Sequence, residues 1–223
     1  MEWKLKAAEL FDLSRTIAAP LFDDGNGYPW EKLKEISAFI LALGKTLPAE
    51  RFDHPAENVW IAKSASVAPT AFLGGPLIVD EEAEIRHCAF IRGSAIVGRG
   101  ATVGNSTELK NCILFDGAQV PHYNYVGDSI LGYKAHMGAG AITSNFRSDH
   151  GSVTLHGPEI ATGLRKFGAM IGDMAEIGCG TVLNPGTVVG CECIVYPLSC
   201  VRGVVPEKTI YKRAGEVVAR EER

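Results

Sequence analysis

The sequence predicts an all-β chain wound as a parallel β-solenoid of about eight coils, preceded by a helical segment and interrupted by one extruded loop. Three observations predict it. Every sixth residue from Ile61 is apolar: Ile61, Val67, Leu73, Val79, Ile85, Ile91, Val97, Val103, Leu109 and Phe115. Two positions before these runs a row of small residues that includes Ala65, Ala71, Ala83, Ala89, Ala95 and Ala101. Glycines are concentrated between Gly74 and Gly203, where they can occupy turn positions of positive φ. A period of six matches neither the 3.6 of an amphipathic helix nor the 2 of a half-buried strand. It does match a coil of three short strands, each followed by a turn, in which every coil buries its face on the next.

Each segment follows in order. Residues 1–50 read as an N-terminal arm with a helix over 29–45, because Pro29 opens a run in which Trp30, Leu33, Ile36, Phe39, Ile40 and Leu43 recur at spacings of three and four. Residues 51–206 read as the solenoid, whose inward row returns late as Ile171, Ile177, Leu183, Val189, Val195 and Val201. Beyond Phe115 the row continues through Val120, Val126, Leu131 and Met137, and its five-residue steps predict turns of altered length near Pro121 and Gly132. Over 146–167 charged and polar residues replace the hexads and predict the loop. The charged residues 207–223 read as a tail, either strand-free or a short helix.

Composition narrows the function. Hydrophobic residues make up 46% and charged residues 22%, as in a globular chain with a core and unlike a disordered one. With 22 Lys and Arg against 26 Asp and Glu, the net charge of −4 supplies no basic field for nucleic acid or an anionic membrane. The apolar run around Phe39–Leu43 falls far short of a spanning helix of ~18 residues or more, and the N-terminus lacks the pattern of a signal peptide. A soluble cytoplasmic protein is expected. Six cysteines without a CxxC pair are expected to be buried free thiols.

Between Ala89 and Phe146 stand the strings AFIRGSAIVGRGATVGNSTELKN, VPHYNYVGDS and HMGAGAITSNF. In order and interval they resemble the acetyltransferase half of the bifunctional glucosamine-1-phosphate acetyltransferase and N-acetylglucosamine-1-phosphate uridylyltransferase family. That resemblance implies the left-handed parallel β-helix of hexapeptide-repeat proteins, acetyl-CoA as co-substrate, an amino-sugar 1-phosphate acceptor and a homotrimer with sites between neighbouring prisms. It implies no metal. His122 matches the family base that deprotonates the sugar amine. An ammonium is not nucleophilic, and an imidazole is suited to accept its proton near neutral pH. Arg92 and Lys110 match residues that hold the sugar phosphate, to which cations supply charge-assisted hydrogen bonds. Each directly follows an inward residue and they lie 18 positions apart, so they stack one coil apart, where two cations repel unless an anion lies between them.

The resemblance further implies that Tyr125 contacts the sugar phosphate and that Asn145 lies at the reacting amide, where its side chain could polarise a thioester carbonyl. Ala139 would face the thioester end of the coenzyme, Cys179 its pantetheine, and Lys212 or Arg213 its phosphates. The sequence departs from the family at His136, where an asparagine that contacts substrate is usual, at Phe146, which replaces a tyrosine, and in the enlarged loop, where Arg165 or Lys166 would have to replace a missing lysine. Residues 1–60 show no Gly-rich nucleotide loop, so no uridylyl transfer is expected of these residues. Two other readings stand beside acyl transfer. One is a sugar-phosphate-binding scaffold that has lost transfer. The other is a γ-type carbonic anhydrase, which needs a His-x4-His pair that none of the six histidines provides.

Overall fold

The computed structural model describes residues 3–221. They form a left-handed parallel β-helix with three faces and about eight coils. Strands Val59–Ala62, Leu77–Val79 and Ala95–Val97, then 112–114, 129–131, Ala169–Ile171, Thr187–Val189 and Val204–Val205, pair in parallel along the first face. The second face runs from Ser66–Val67 to Thr209–Arg213, and the third from Phe72–Leu73 to Cys200–Val201. The interior holds the alanine row and the inward Val, Ile and Leu row; Ala83, Ala95, Ala101, Ile91 and Leu109 are wholly buried.

One inward position differs from the sequence reading. Leu114, not Phe115, pairs with Val97 and continues the interior row, so the short step falls between Leu109 and Leu114. Both residues are apolar, and periodicity alone cannot choose between them. The tight corners are therefore not near Pro121 and Gly132. They lie inside the continuous strands Glu108–Leu114 and Tyr125–Leu131, which bend from the third face to the first at Asn111 and Asp128, both with positive φ.

The first face also turns apolar residues outward. Ile78, Ile96, Ile113, Ile130, Met170 and Val188 form a second ladder, which the N-terminal segment buries with Leu10, Phe11, Phe22, Trp30, Ile36 and Ile40. Each such side chain removed from water contributes roughly 1.5–3 kcal/mol. The N-terminal segment is thus a layer fixed to the prism, with Phe11 5.1 Å from Phe115. Its helical region is a 3-10 stretch, Pro29–Lys34, followed by an α-helix, Ile36–Gly44.

Ile130 pairs with Met170, 40 positions on, whereas Leu77 pairs with Ala95, 18 positions on. The surplus leaves the helix as a loop that folds back on its own prism. The loop contains a small antiparallel pair, Thr154–Leu155 with Ile160–Ala161, and Leu155 and Phe167 are buried beside Trp30. Two further expectations are corrected. Thr209–Arg213 and Glu216–Ala219 form an antiparallel hairpin where a tail without strands or a short helix was expected, since Ile210 and Tyr211 extend the second-face ladder. The cysteines are free, but Cys88, Cys179 and Cys200 are exposed, because they occupy outward or corner positions; Cys112 and Cys193 are buried, and burial pushes the Cys112 thiol up to about 12.

Candidate active site

The third face collects most of the residues singled out from the sequence. Along its border with the second face, successive coils present Asn105, His122, Ala139 and Cys179. Their carbonyls accept from the N–H groups of Tyr123, Gly140, Gly180 and Leu198 in turn, at 2.8–3.0 Å. His122 is exposed, and its imidazole makes no hydrogen bond among the described residues. Its backbone, by contrast, is fixed by Asn124, which is 2% exposed. The Asn124 amide accepts from His122 N–H at 3.1 Å and donates to the carbonyls of Gly138 and Ala141 at 2.8 and 3.0 Å. A satisfied buried amide thus locks the corner that carries the exposed imidazole. The coils there approach so closely that a Cβ on Gly104 would lie 1.5 Å from the Pro121 carbonyl oxygen.

The opposite border is the tight corner of the two bent strands. Asp128, nearly buried, is its hub: Lys110 Nζ reaches both carboxylate oxygens at 2.9 Å, Asn111 Nδ2 donates to one at 2.9 Å, and Asn145 Nδ2 donates to the other. Asn145 Nδ2 also reaches the Tyr125 hydroxyl at 3.2 Å. Burial, and then the Asp128 and Glu108 carboxylates, hold the Tyr125 phenol above its usual value, so it remains a neutral donor and acceptor. Arg92 Nη1 donates to Glu108 Oε1 at 2.8 Å. The repulsion anticipated between Arg92 and Lys110 is therefore relieved by the protein's own Glu108 and Asp128. Arg92 keeps unused guanidinium donors and a half-exposed side chain.

Three candidate residues lie away from the His122 and Asp128 clusters. His136 sits at the start of the second face, paired in register with Gln119, while His122 is three residues further along. Three residues of extended strand put it about 10 Å from the His122 border. Its Nδ1 lies 2.8 Å from Glu176 Oε2. Lys212 and Arg213 reach the far C-terminal end of the same border and both face Glu216, at 3.5 and 2.7 Å. Among the described residues no group of three or more His, Cys, Asp and Glu is arranged to hold a metal ion, and no helix is long and apolar enough to cross a membrane.

Asp128, Asn111, Glu108 and Asn124 were missed in the sequence. Spacing alone does not pair Asp128 with Lys110, because the coil is one residue short there and Lys110 pairs in register with Gly127.

Comparison with known proteins finds relatives over much of the chain. The model of the GMPPB C-terminal domain matches residues 73–163. The chain is 38% identical over 128 residues to the bifunctional protein GlmU of Methanococcus vannielii, covering 56% of this chain and 31% of that one. It is 30% identical over 159 residues to the uncharacterized acetyltransferase YaiX of Escherichia coli, covering 70% of this chain and 69% of that one. The chain belongs to this hexapeptide-repeat acetyltransferase family. It spans half or less of the length of the GlmU relatives in Methanococcus. The acetyltransferase domain of PglB from Neisseria gonorrhoeae, solved with acetyl coenzyme A, aligns over 79% of this chain and 60% of that one at 19% identity and a TM-score of 0.33.

As a member of the acetyltransferase family, the chain offers an exposed imidazole on one border of a face and a cation–carboxylate–amide cluster on the other. Tyr125 lies between them. The first border can accept a proton from a bound nucleophile, and the second can hold an anionic group through Arg92 and orient a carbonyl through Asn145.

Proposed function

We propose that the chain transfers an acetyl group from acetyl-CoA to the amine of an amino-sugar 1-phosphate of the glucosamine-1-phosphate kind, in nucleotide-sugar biosynthesis. The observation that carries this reading is the pairing on one face of an unpartnered His122 with the Arg92–Lys110–Tyr125–Asn145 corner. His122 takes the proton of the amine as its nitrogen attacks the thioester carbon. The carbon–sulfur bond breaks, and the thiolate of coenzyme A leaves with that proton. Arg92 and Tyr125 hold the sugar phosphate, and Lys110 adds the donor that Asp128 leaves free. Asn145 steadies the charge developing on the carbonyl oxygen with the N–H that it otherwise gives to the Tyr125 hydroxyl, while Ala139 and Cys179 line the coenzyme's path along the His122 border.

The third face supports a homotrimer. The first face is covered by the chain's own N-terminal segment, and the second carries Glu84, Gln119, His136 and Glu176 outward. The third leaves Phe72 and Phe90 exposed at 58% and 42%, beside the candidate site. A neighbouring prism packed there would bury them and close the site.

The test is acetyl-CoA-dependent thiol release with glucosamine-1-phosphate and galactosamine-1-phosphate, alongside sedimentation for the trimer. Binding of the sugar phosphate without thiol release would favour the scaffold reading, to which the phenylalanine at 146 also points.

A further inference from the structure

The back-folded loop builds a pocket of about 300 Å³ against the corner between the third and first faces. Ser144, Phe146, Arg147, His156, Asn184 and Arg202 line it. Its place in the fold follows from register. Thr143 pairs with Leu183 and Leu183 with Val201, so the residues that follow, Ser144, Asn184 and Arg202, form one column on successive coils. Ser144 precedes Asn145, so the pocket begins where the candidate active site ends. Arg202 lies two coils further along, about 10 Å at the ~4.8 Å spacing of paired strands.

The charges in this pocket differ from those at the Lys110 corner. There each cation has a carboxylate. Arg202 has none among the described residues: its Nη2 donates to His156 Nε2 at 2.8 Å. The His156 Nε2 can accept only if Nδ1 carries the proton, and Nδ1 lies 3.5 Å from Glu159 Oε1. Accepting in this way, His156 holds the guanidinium without supplying a negative charge. One donor of Arg202 is used and its other N–H groups are not. The loop's seat beside it depends on Gly203, at φ 80°, where a Cβ would come 2.7 Å from the His156 carbonyl oxygen. Arg147 is held by Asp149. At the pocket's rim the Phe146 ring is 37% exposed, with the His150 ring edge-on to it at 5.1 Å.

We propose that this pocket is a phosphoryl-binding subsite, with Arg202 as its charged ligand and His156 as the residue that positions it. A ligand reacting beside Asn145 and reaching Arg202 carries its anionic group about 10 Å from the reacting end. That distance and the exposed ring suit a nucleoside diphosphate, which extends the proposed acceptor from the amino-sugar 1-phosphate to its nucleotide-linked form. The phosphates of coenzyme A share the same chemistry and are the other source. The inference rests on the acyl-transfer reading only for the position of the reacting end.

The test is calorimetric binding of UDP, GDP and coenzyme A, without turnover, to the full chain and to Arg202→Ala and Thr154→Glu. Thr154 also lines the pocket, so the second variant adds a carboxylate there besides that of Asp149. We expect Arg202→Ala to weaken UDP or GDP binding about ten-fold, the loss of one charge-assisted hydrogen bond, and Thr154→Glu to abolish it, with coenzyme A binding unchanged. A loss confined to coenzyme A would overturn the acceptor assignment and give the subsite to the coenzyme. Unchanged affinity for all three ligands in both variants, with melting temperatures like wild type, would overturn the subsite itself. Thiol release measured separately reports on acyl transfer, so the two readings fail independently.

Discussion

Gly127→Ala separates the site from the fold. Gly127 lies in the strand Tyr125–Leu131, directly between Tyr125 and the Asp128 hub. A Cβ there would stand 2.4 Å from the Tyr125 hydroxyl oxygen and 2.8 Å from Asn145 Nδ2. Ordinary contact begins near 3.4 Å, so the hydroxyl must move by about 1 Å and the amide by about 0.6 Å. Both atoms are the ends of side chains, and both can swing away at little cost to the backbone. The Tyr125–Asn145 hydrogen bond of 3.2 Å is then lost, and the Asn145–Asp128 contact with it. A displacement of about 1 Å in a positioned group costs about 100-fold in rate. The assay is thiol release at saturating and limiting acceptor, with a melting curve on the same sample. We expect kcat/KM to fall about 100-fold, with Tm lowered by only a few degrees. Full turnover in a folded variant would remove the Tyr125–Asn145 pair from the site and refute the reasoning.

Other perturbations probe the supports. Asn124→Ala removes the amide that donates to the carbonyls of Gly138 and Ala141, of which Gly138 keeps the Ala141 N–H, and should cost about 1–3 kcal/mol, read as a drop in the denaturation midpoint; a loss below about 0.5 kcal/mol would contradict the lock on the His122 corner. Lys110→Met strips the nearly buried Asp128 of its cation and should cost stability by about 1–3 kcal/mol while weakening the acceptor's phosphate; an unchanged acceptor KM would leave Lys110 only its structural role. Asp173 is raised above the usual carboxylate range by burial, although it accepts from the N–H groups of Asp12 and Tyr133. With the folded pKa above the unfolded one, the native chain binds the proton more readily. The ionised group's cost is then absent below the unfolded pKa and grows as pH rises through the folded one. The Tm of Asp173→Asn minus that of wild type should therefore become more positive from about pH 4 upward, and a difference that falls with pH would contradict this.

The prism was legible because its interior repeats. An inward Ile, Val or Leu every six residues, with an alanine two positions earlier, leaves one winding that buries both rows. The outer ladder of Ile78, Ile96, Ile113 and Ile130 was present in the sequence at spacings of 17 and 18, but it sits beside the inward row and reads as part of it. Only the N-terminal layer reveals that it faces outward. The one-residue slip at Leu114 and Phe115 had the same origin, two adjacent apolar side chains with nothing local to rank them. It mattered because it moved the tight corner onto Lys110, Asn111 and Asp128. The motif strings led to His122, Arg92, Lys110, Tyr125 and Asn145, which the structure gathers on one face. They gave no sign that Asp128 and Glu108 neutralise the two cations, because a carboxylate's partner depends on coil register. Nor could they show where the loop would lie, since Phe167 stacks on Trp30 over a hundred positions away in sequence and Leu155 joins the same buried cluster.

The central claim is that His122 accepts the amine's proton during transfer from acetyl-CoA. Its most direct test is thiol release from acetyl-CoA with glucosamine-1-phosphate and galactosamine-1-phosphate, comparing wild type with His122→Ala at matched melting temperature. The account predicts turnover in the wild type and a loss of about 10²–10⁴-fold in the variant. Turnover retained in folded His122→Ala, or a wild type silent with every acceptor, would contradict it.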